Sequence, residues 1–246
     1  MTSKALYRDG YINLSLKPGK SLDRLHNVIS EMNSKNIKNN FYWETKYQNT
    51  EDFRPTVFEY DQIFVDILIE NNIHKIINKA AQKQLLLAHI QLRRVFPGPS
   101  YMNWHRDTHF KSGDTVSVSP PAHKIIFFPG EFESNVECLK IAKSSHLCMN
   151  PSQKEEDFIN PGFSSFDNQI LNSEMLEIDS LSESKSNALF FDTSCLHAAL
   201  PSVRQSGSTR LVYLFMSEDP FNERYAAMPH HFNLNKLYQE KILKNE

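Results

Sequence analysis

The chain has 246 residues, 40% of them hydrophobic and 11% aromatic, and a formal net charge of −2. That length and apolar content allow one sizeable core, the aromatic content argues against disorder, and the near-neutral charge provides no basic surface for nucleic acid or an anionic membrane. Cys138, Cys148 and Cys195 form no CxxC pair and an odd count is a poor disulfide framework; with no signal-peptide core at the N-terminus and no apolar run of membrane length, a reducing, cytoplasmic setting is expected.

Leu6 to Leu16 alternate loosely around the turn signal Asp9-Gly10, which predicts a short strand or hairpin. From Ser21, read as an N-cap, the spacing of Leu22, Leu25, Val28, Ile29 and Met32 becomes helical; the helix should end near the Asn/Lys-rich stretch 33–40. Phe41 to Pro55 is polar and irregular. A second helical region, about Tyr60 to Gln84, carries an apolar stripe from Ile63 to Ile77 and a break at Asn71-Asn72. Leu85 to Phe96 reads as a long strand, with Ile90, Leu92 and Arg94 on one face and Gln91, Arg93 and Val95 on the other.

Pro97-Gly98-Pro99 ends that strand. His123 to Phe128 is a strong strand stopped by Pro129-Gly130, and Glu137 to Ala142 a short one leading to Ser144-Ser145-His146. Leu147 to Ile178 is polar with little periodicity, a loop of the length expected of a lid or a disordered segment. Together with Phe41 to Thr56 it is the expected wall of a pocket. Ala188 to Asp192 and Arg210 to Phe215 are buried-type strands, and Leu234, Leu237, Tyr238, Ile242 and Leu243 mark a C-terminal helix. Helices followed by short strands between turn signals predict a β-sandwich or barrel with helices on one side. The jelly roll is the variant whose open mouth can hold a metal.

The chemistry centres on Asn103-Trp104-His105-Arg106-Asp107-Thr108-His109. In a strand His105 and Asp107 face the same way, so imidazole and carboxylate can chelate one ion. An isolated His-X-Asp arises by chance in many chains, and the case depends on a third ligand. Phe190-Phe191-Asp192-Thr193-Ser194-Cys195-Leu196-His197 supplies it, a strand delivering His197 near its end. His105, Asp107 and His197 then make the 2-His-1-carboxylate triad of non-haem Fe(II) oxygenases, with positions open for co-substrate and O2. A turn with Pro201 and Gly207 separates His197 from Arg210, and a hairpin-like return would bring Arg210 beside His197. Its rigid guanidinium fork suits the far carboxylate of an iron-bound 2-oxo acid. Arg204 is closer to His197 in sequence but lies in the turn.

His109 shares the parity of the pair. Arg93, Arg106 and Lys124 are cations on or beside predicted strands, and Gln91 lies on the face of Arg93; these five are the candidate substrate contacts. His146 is assigned to a turn, and His230-His231 reads as an inert exposed pair.

His105-X-Asp107, His197 and Arg210 resemble the phytanoyl-CoA dioxygenase family of Fe(II)/2-oxoglutarate-dependent oxygenases. Trp104 before His105, and Leu139 to Ala142 leading to Ser144-Ser145-His146, are similar to that family's pattern, with Ser144 where Gly is usual. The resemblance spans about Leu86 to Phe215. It implies a mainly β protein with flanking α-helices and a double-stranded β-helix (jelly-roll, cupin-like) core. Residues 1–246 then form one domain: a helical part to about 84, the core over about 85–216 and a helical tail over about 217–246. It also implies Fe(II) held by His105, Asp107 and His197, 2-oxoglutarate anchored by Arg210, and O2 consumed with release of succinate and CO2 as a small-molecule C–H bond is hydroxylated. Halogenating relatives replace the triad carboxylate with a small residue, so Asp107 points away from halogenation. The rivals are desaturation, cyclisation or epimerisation with the same cofactors, a metal-binding jelly roll without turnover, and a cupin-like zinc or nickel protein, which usually carries more His ligands.

Overall fold

The computed structural model describes residues 2–17, 19–34, 42–43, 49–53, 56–99, 102–108, 122–130, 134–137, 139–150, 152–160, 162–173, 176–181, 186–216 and 229–245. In chain order the strands are β1 (Tyr11–Leu14), β2 (Tyr42–Trp43), β3 (Thr50–Phe53), β4 (Leu86–Val95), β5 (Met102–His105), β6 (Ala122–Phe127), β7 (Leu139–Ala142), β8 (Phe158–Asn160), β9 (Phe163–Ser164), β10 (Ile178–Ser180), β11 (Ala188–Asp192), β12 (His197–Ala199) and β13 (Ser208–Met216).

Among the described residues, seven strands form one antiparallel sheet in the order β1-β11-β6-β13-β4-β3-β2, and four form a second, β10-β7-β12-β5. Tyr11, Ile126, Phe128, Leu189 and Phe191 of the first meet Leu139, Ile141 and Ala199 of the second in a shared core. The outer face of the large sheet, with Ile90, Leu92, Ile125, Phe127, Phe190, Leu211, Tyr213 and Phe215, packs on helices Lys20–Ser34, Ile63–Glu70, Ile73–Ala81 and Pro229–Asn245. A strand pressed between helices and a second sheet is mostly apolar on both faces, so Ala188–Phe191 of β11 and Ile125–Phe127 of β6 read as hydrophobic runs. This is a jelly-roll core with helices on one side. No helix of the described residues is long and apolar enough to cross a membrane.

Two local expectations are corrected. The start of the chain is a helix, Thr2–Asp9, turned by Gly10 at φ 86° into β1; neither a strand nor a hairpin occupies Leu6 to Asp9. Besides its helices, the part before residue 84 supplies β1, β2 and β3 to the large sheet. Helix Lys20–Ser34 begins one residue before Ser21, which is therefore inside the helix. The break at Asn71-Asn72 is present, with Asn72 left-handed at φ 52° between Ile63–Glu70 and Ile73–Ala81.

The stretch 147–178 is folded where it is described. β8 pairs with β9, and helix Ser165–Asn172 follows. The Ser164 side chain accepts from the Asp167 amide while the Asp167 carboxylate accepts from the Ser164 amide, a capping box that satisfies two helix-terminal donors. Ser144 adopts φ 63°, a left-handed conformation that favours glycine, and its hydroxyl donates to the Arg8 carbonyl at 2.8 Å.

Candidate metal centre and its cavity

β5 and β12 are antiparallel neighbours with His105 opposite His197, so two residues far apart in sequence share one sheet face. Their rings are 4.2 Å apart between centroids. The Nδ1 of His105 lies 2.7 Å from the Asn103 carbonyl and that of His197 lies 2.9 Å from the Cys195 carbonyl. A carbonyl can only accept, so each Nδ1 carries the proton and each Nε2 presents its lone pair. Both Nε2 atoms converge on Asp107, at 3.8 Å from Oδ1 and 3.3 Å from Oδ2 respectively. His105 Nε2 is buried and has no hydrogen-bond partner.

One donor atom from each of His105, Asp107 and His197 lies within 4.8 Å of the others. Two imidazole nitrogens and one carboxylate on one side of a point are a donor set for a divalent first-row metal, with positions left open. Carbonyls behind the imidazoles fix tautomer and ring orientation. Burial and then the neighbouring His197 push His105 down to about 4 against the pull of Asp107, leaving the ring neutral and ready to ligate at neutral pH. Burial opposes ionisation of Asp107, but its neighbours, the Lys124 ammonium foremost, together outweigh it and hold the carboxyl well below its ordinary value.

Asp107 does not share a strand with His105. β5 ends at His105, and backbone bonds shape the turn that follows: the Arg106 amide donates to Gly162, and those of Asp107 and Thr108 to Thr193. Thr193 in turn binds Ala122 through its amide and hydroxyl, and its hydroxyl lies 2.7 Å from that of Thr108. His197 likewise opens β12 and does not close the strand before it. Thr193 ties the ligand turn to both β6 and the end of β11. Only its place after the strand Ala188–Asp192 hinted at this in the sequence.

A cavity of about 80 Å³ lies between the sheets beside this centre. Gln91, Arg93, Lys124, His197 and Arg210 give its polar lining, and Met102, Ile126, Leu139 and Val212 its apolar walls. These walls are strand residues; half of the 41–56 stretch lies outside the described residues, and none of the described half lines the cavity. Arg210 is only 2% exposed; its Nη2 donates to the carbonyls of Glu137, at 2.5 Å, and Leu200. The two bonds hold the guanidinium over the Phe128 ring, 5.4 Å from its centroid. No hairpin brings Arg210 beside His197, because β12 and β13 belong to different sheets; the two meet across the cavity. Arg204 pairs with the Glu137 carboxylate at 3.4 Å.

Of the five candidate substrate contacts, Gln91, Arg93 and Lys124 line the cavity. Arg93 is held by Asp52 through two bonds of 2.5 and 2.7 Å. Lys124 reaches Asp107 Oδ2 at 2.7 Å. Arg106 is a correction: it is 3% exposed and turned away from the cavity into the protein. Its Nε donates to Asp167 at 2.9 Å and its Nη1 to the carbonyls of Ser145, at 2.7 Å, and Ser194. A residue between two others that face the site points to the opposite side. His109 lies outside the described residues. His146 Nε2 sits 2.9 Å from the Tyr7 carbonyl, in a turn, and His230 and His231 fall in the first turn of the last helix. Cys195 is buried, which pushes its thiol up to about 12 and leaves it un-ionised.

The sequence matches no protein-family model and no curated protein. Solved structures do resemble it. The non-haem α-ketoglutarate-dependent epimerase SnoN from nogalamycin biosynthesis superposes with a TM-score of 0.62 at 11% identity, over 93% of this chain and 88% of that one. EctD from S. alaskensis, solved with 2-oxoglutarate and 5-hydroxyectoine, gives 0.62 at 12% identity over 92% and 80%. HygX from Streptomyces hygroscopicus, solved with nickel and 2-oxoglutarate, gives 0.56 at 11% identity over 87% of each chain. At such identities the likeness is one of fold: the chain is built on the same scaffold as these three proteins.

Proposed function

We propose that this protein is an Fe(II)- and 2-oxoglutarate-dependent dioxygenase that hydroxylates an unactivated C–H bond of a small-molecule metabolite. The observation that carries the reading is the convergence of His105 Nε2, His197 Nε2 and Asp107 within 4.8 Å, beside a cavity that also contains the buried Arg210 guanidinium. Iron bound there with 2-oxoglutarate and O2 supplies an oxidant able to break a C–H bond, one oxygen atom entering the product and the other leaving in succinate as CO2 is released.

The residues of this chain do the holding and aiming. His105, Asp107 and His197 occupy one side of the site and leave the cavity side to ligands. Arg210, positioned by the Glu137 and Leu200 carbonyls, is the partner for the far carboxylate of 2-oxoglutarate. Ile126, Leu139 and Val212 wall that charge pair with apolar surface, which lowers the local dielectric and strengthens it. Gln91 and Arg93 are the candidate substrate contacts at the cavity wall. Epimerisation or ring closure uses the same initial hydrogen abstraction, and the likeness to SnoN and to the carbocyclase SnoK favours keeping these outcomes beside hydroxylation.

The test is anaerobic addition of Fe(II) and then 2-oxoglutarate to metal-free protein, with a visible metal-to-oxo-acid charge-transfer band expected. His105→Ala should lose the band, and Arg210→Ala should need much more oxo acid to reach it. Bound iron without a band in the wild type would sink the oxo-acid reading. Product analysis of turned-over substrate separates hydroxylation from the other outcomes.

A further inference from the structure

Lys124 sits where a spectator cation is hard to explain. It projects from β6 on the face of Ile126, into the space between the sheets, and places its ammonium 2.7 Å from Asp107 Oδ2. The same carboxylate oxygen is 3.3 Å from His197 Nε2, so Lys124 bonds to the carboxylate that the candidate metal site shares. In the metal-free protein the pair is neutral, and the lysine orients the carboxylate. A divalent cation held by Asp107 adds two positive charges next to the ammonium. An anion at the open side of the metal, in the cavity that Lys124 itself lines, would offset that charge.

We propose that Lys124 is the anion-binding residue at the metal end of the cavity, taking the carboxylate next to the keto group of a 2-oxo acid while Arg210 takes the opposite end. The inference rests on the Fe(II)/2-oxoglutarate reading and adds a consequence to it: metal and oxo acid bind cooperatively because a lysine shared with the metal's own carboxylate ligand links them. Two cations at separate stations, one bonded to Asp107 and one bonded to the Glu137 and Leu200 carbonyls, match the two carboxylates of a dicarboxylic oxo acid. Linkage requires the coupling to be reciprocal, so it can be read from either ligand.

The experiment measures Mn2+ affinity calorimetrically, without and with saturating 2-oxoglutarate, in wild type, Lys124→Met and Lys124→Arg. Mn2+ is an air-stable probe, and binding is read without turnover. The wild type should gain roughly tenfold or more in Mn2+ affinity with the oxo acid, within the usual range for coupled sites. Lys124→Met should lose most of that gain and Lys124→Arg should retain it, with circular dichroism confirming that both are folded. Pyruvate, which lacks the far carboxylate, should show a smaller gain that Lys124→Met also abolishes. A wild-type gain that persists in Lys124→Met overturns the assignment of Lys124 while leaving the oxo-acid reading standing. Equal loss in both variants marks a packing role and overturns it too. A pyruvate gain untouched by Lys124→Met moves the lysine to the far carboxylate and rejects the proposal. No gain in the wild type removes the oxo-acid reading and the proposal together.

Discussion

His105 and His197 are cross-strand partners, opposite each other in the β5–β12 pairing with their rings 4.2 Å apart and the Nδ1 of each turned onto a backbone carbonyl. The backbone ladder, and not a flexible loop, therefore sets the separation of the two Nε2 atoms. His105→Ala and His197→Ala should each lower metal affinity by roughly 100-fold or more while leaving the sheets intact. Chelator competition measures the affinity and far-ultraviolet circular dichroism the fold. Affinity within a few-fold of wild type in either variant would remove that histidine from the ligand set. Because a metal that binds only the native state stabilises it by mass action, Mn2+ should also raise the wild-type Tm and leave that of Asp107→Ala unmoved.

Arg106 and Asp167 form a buried ion pair at 2.9 Å that fastens helix Ser165–Asn172 to the turn between the ligands. Removing one partner of such a pair costs about 3–5 kcal/mol, because the other is left charged and buried. Arg106→Met should show a loss of that order in urea unfolding. Arg106→Lys should fail to rescue it, since one ammonium cannot reproduce a fork that reaches Asp167, Ser145 and Ser194 together. Wild-type stability in Arg106→Lys would show that charge alone suffices.

Gly162 lies at φ 75° with its α-carbon against the Arg106 backbone, and a side chain there would meet the Arg106 carbonyl. Gly162→Ala should destabilise the protein by about 1–2 kcal/mol from the backbone conformation alone, with a further cost from the clash. It should also weaken metal binding, because the obstructed carbonyl lies between His105 and Asp107. An unchanged Tm together with unchanged Mn2+ affinity would show that the turn tolerates the shift.

Burial pushes His123 down to about 4 despite the opposing pull of Asp192, and its ring stacks on Phe190 at 5.2 Å. The unfolded chain binds this proton near pH 6.5 and the folded chain only near pH 4, so between those values the unfolded state holds more protons and stability rises with pH. His105 has the same sign. The metal-free protein should be most stable above about pH 6.5 and lose a few kcal/mol as the pH falls to about 4. Urea midpoints across that range should fall less steeply in His123→Leu than in wild type. Identical pH slopes would rule out His123 as a contributor.

The strands with regular alternation were readable in advance. Ile90 and Leu92 pack on the helices while Gln91 and Arg93 line the cavity, as a period of two requires. The N-terminal helix was not readable, because Leu6 to Leu16 combine a helix, a glycine turn and a strand within one loosely alternating stretch. Nor was the order of the 152–172 region. It has little apolar periodicity and is organised by polar bonds: the Ser164–Asp167 capping box, the Arg106–Asp167 ion pair and the Gly162 contact. Periodicity reports burial of apolar faces and says nothing about hydrogen bonds between residues distant in sequence.

Residue types and the strand pattern pointed to a β-sandwich or barrel, the family resemblance narrowed it to a jelly roll, and together they singled out His105, Asp107, His197 and Arg210 as candidates, because metal ligation and carboxylate binding demand particular side chains and sheet burial demands alternation. Only the tertiary structure decided how they meet. His105 and His197 are brought together by strand pairing, Asp107 by a turn hung on Thr193 and Gly162, and Arg210 by the facing of two separate sheets. It also divided the nearby cations, burying Arg106 behind the candidate site and setting Lys124 on the Asp107 carboxylate. Side-chain direction at a strand end depends on the backbone bonds of the following turn, and those are made with segments that the local sequence does not contain.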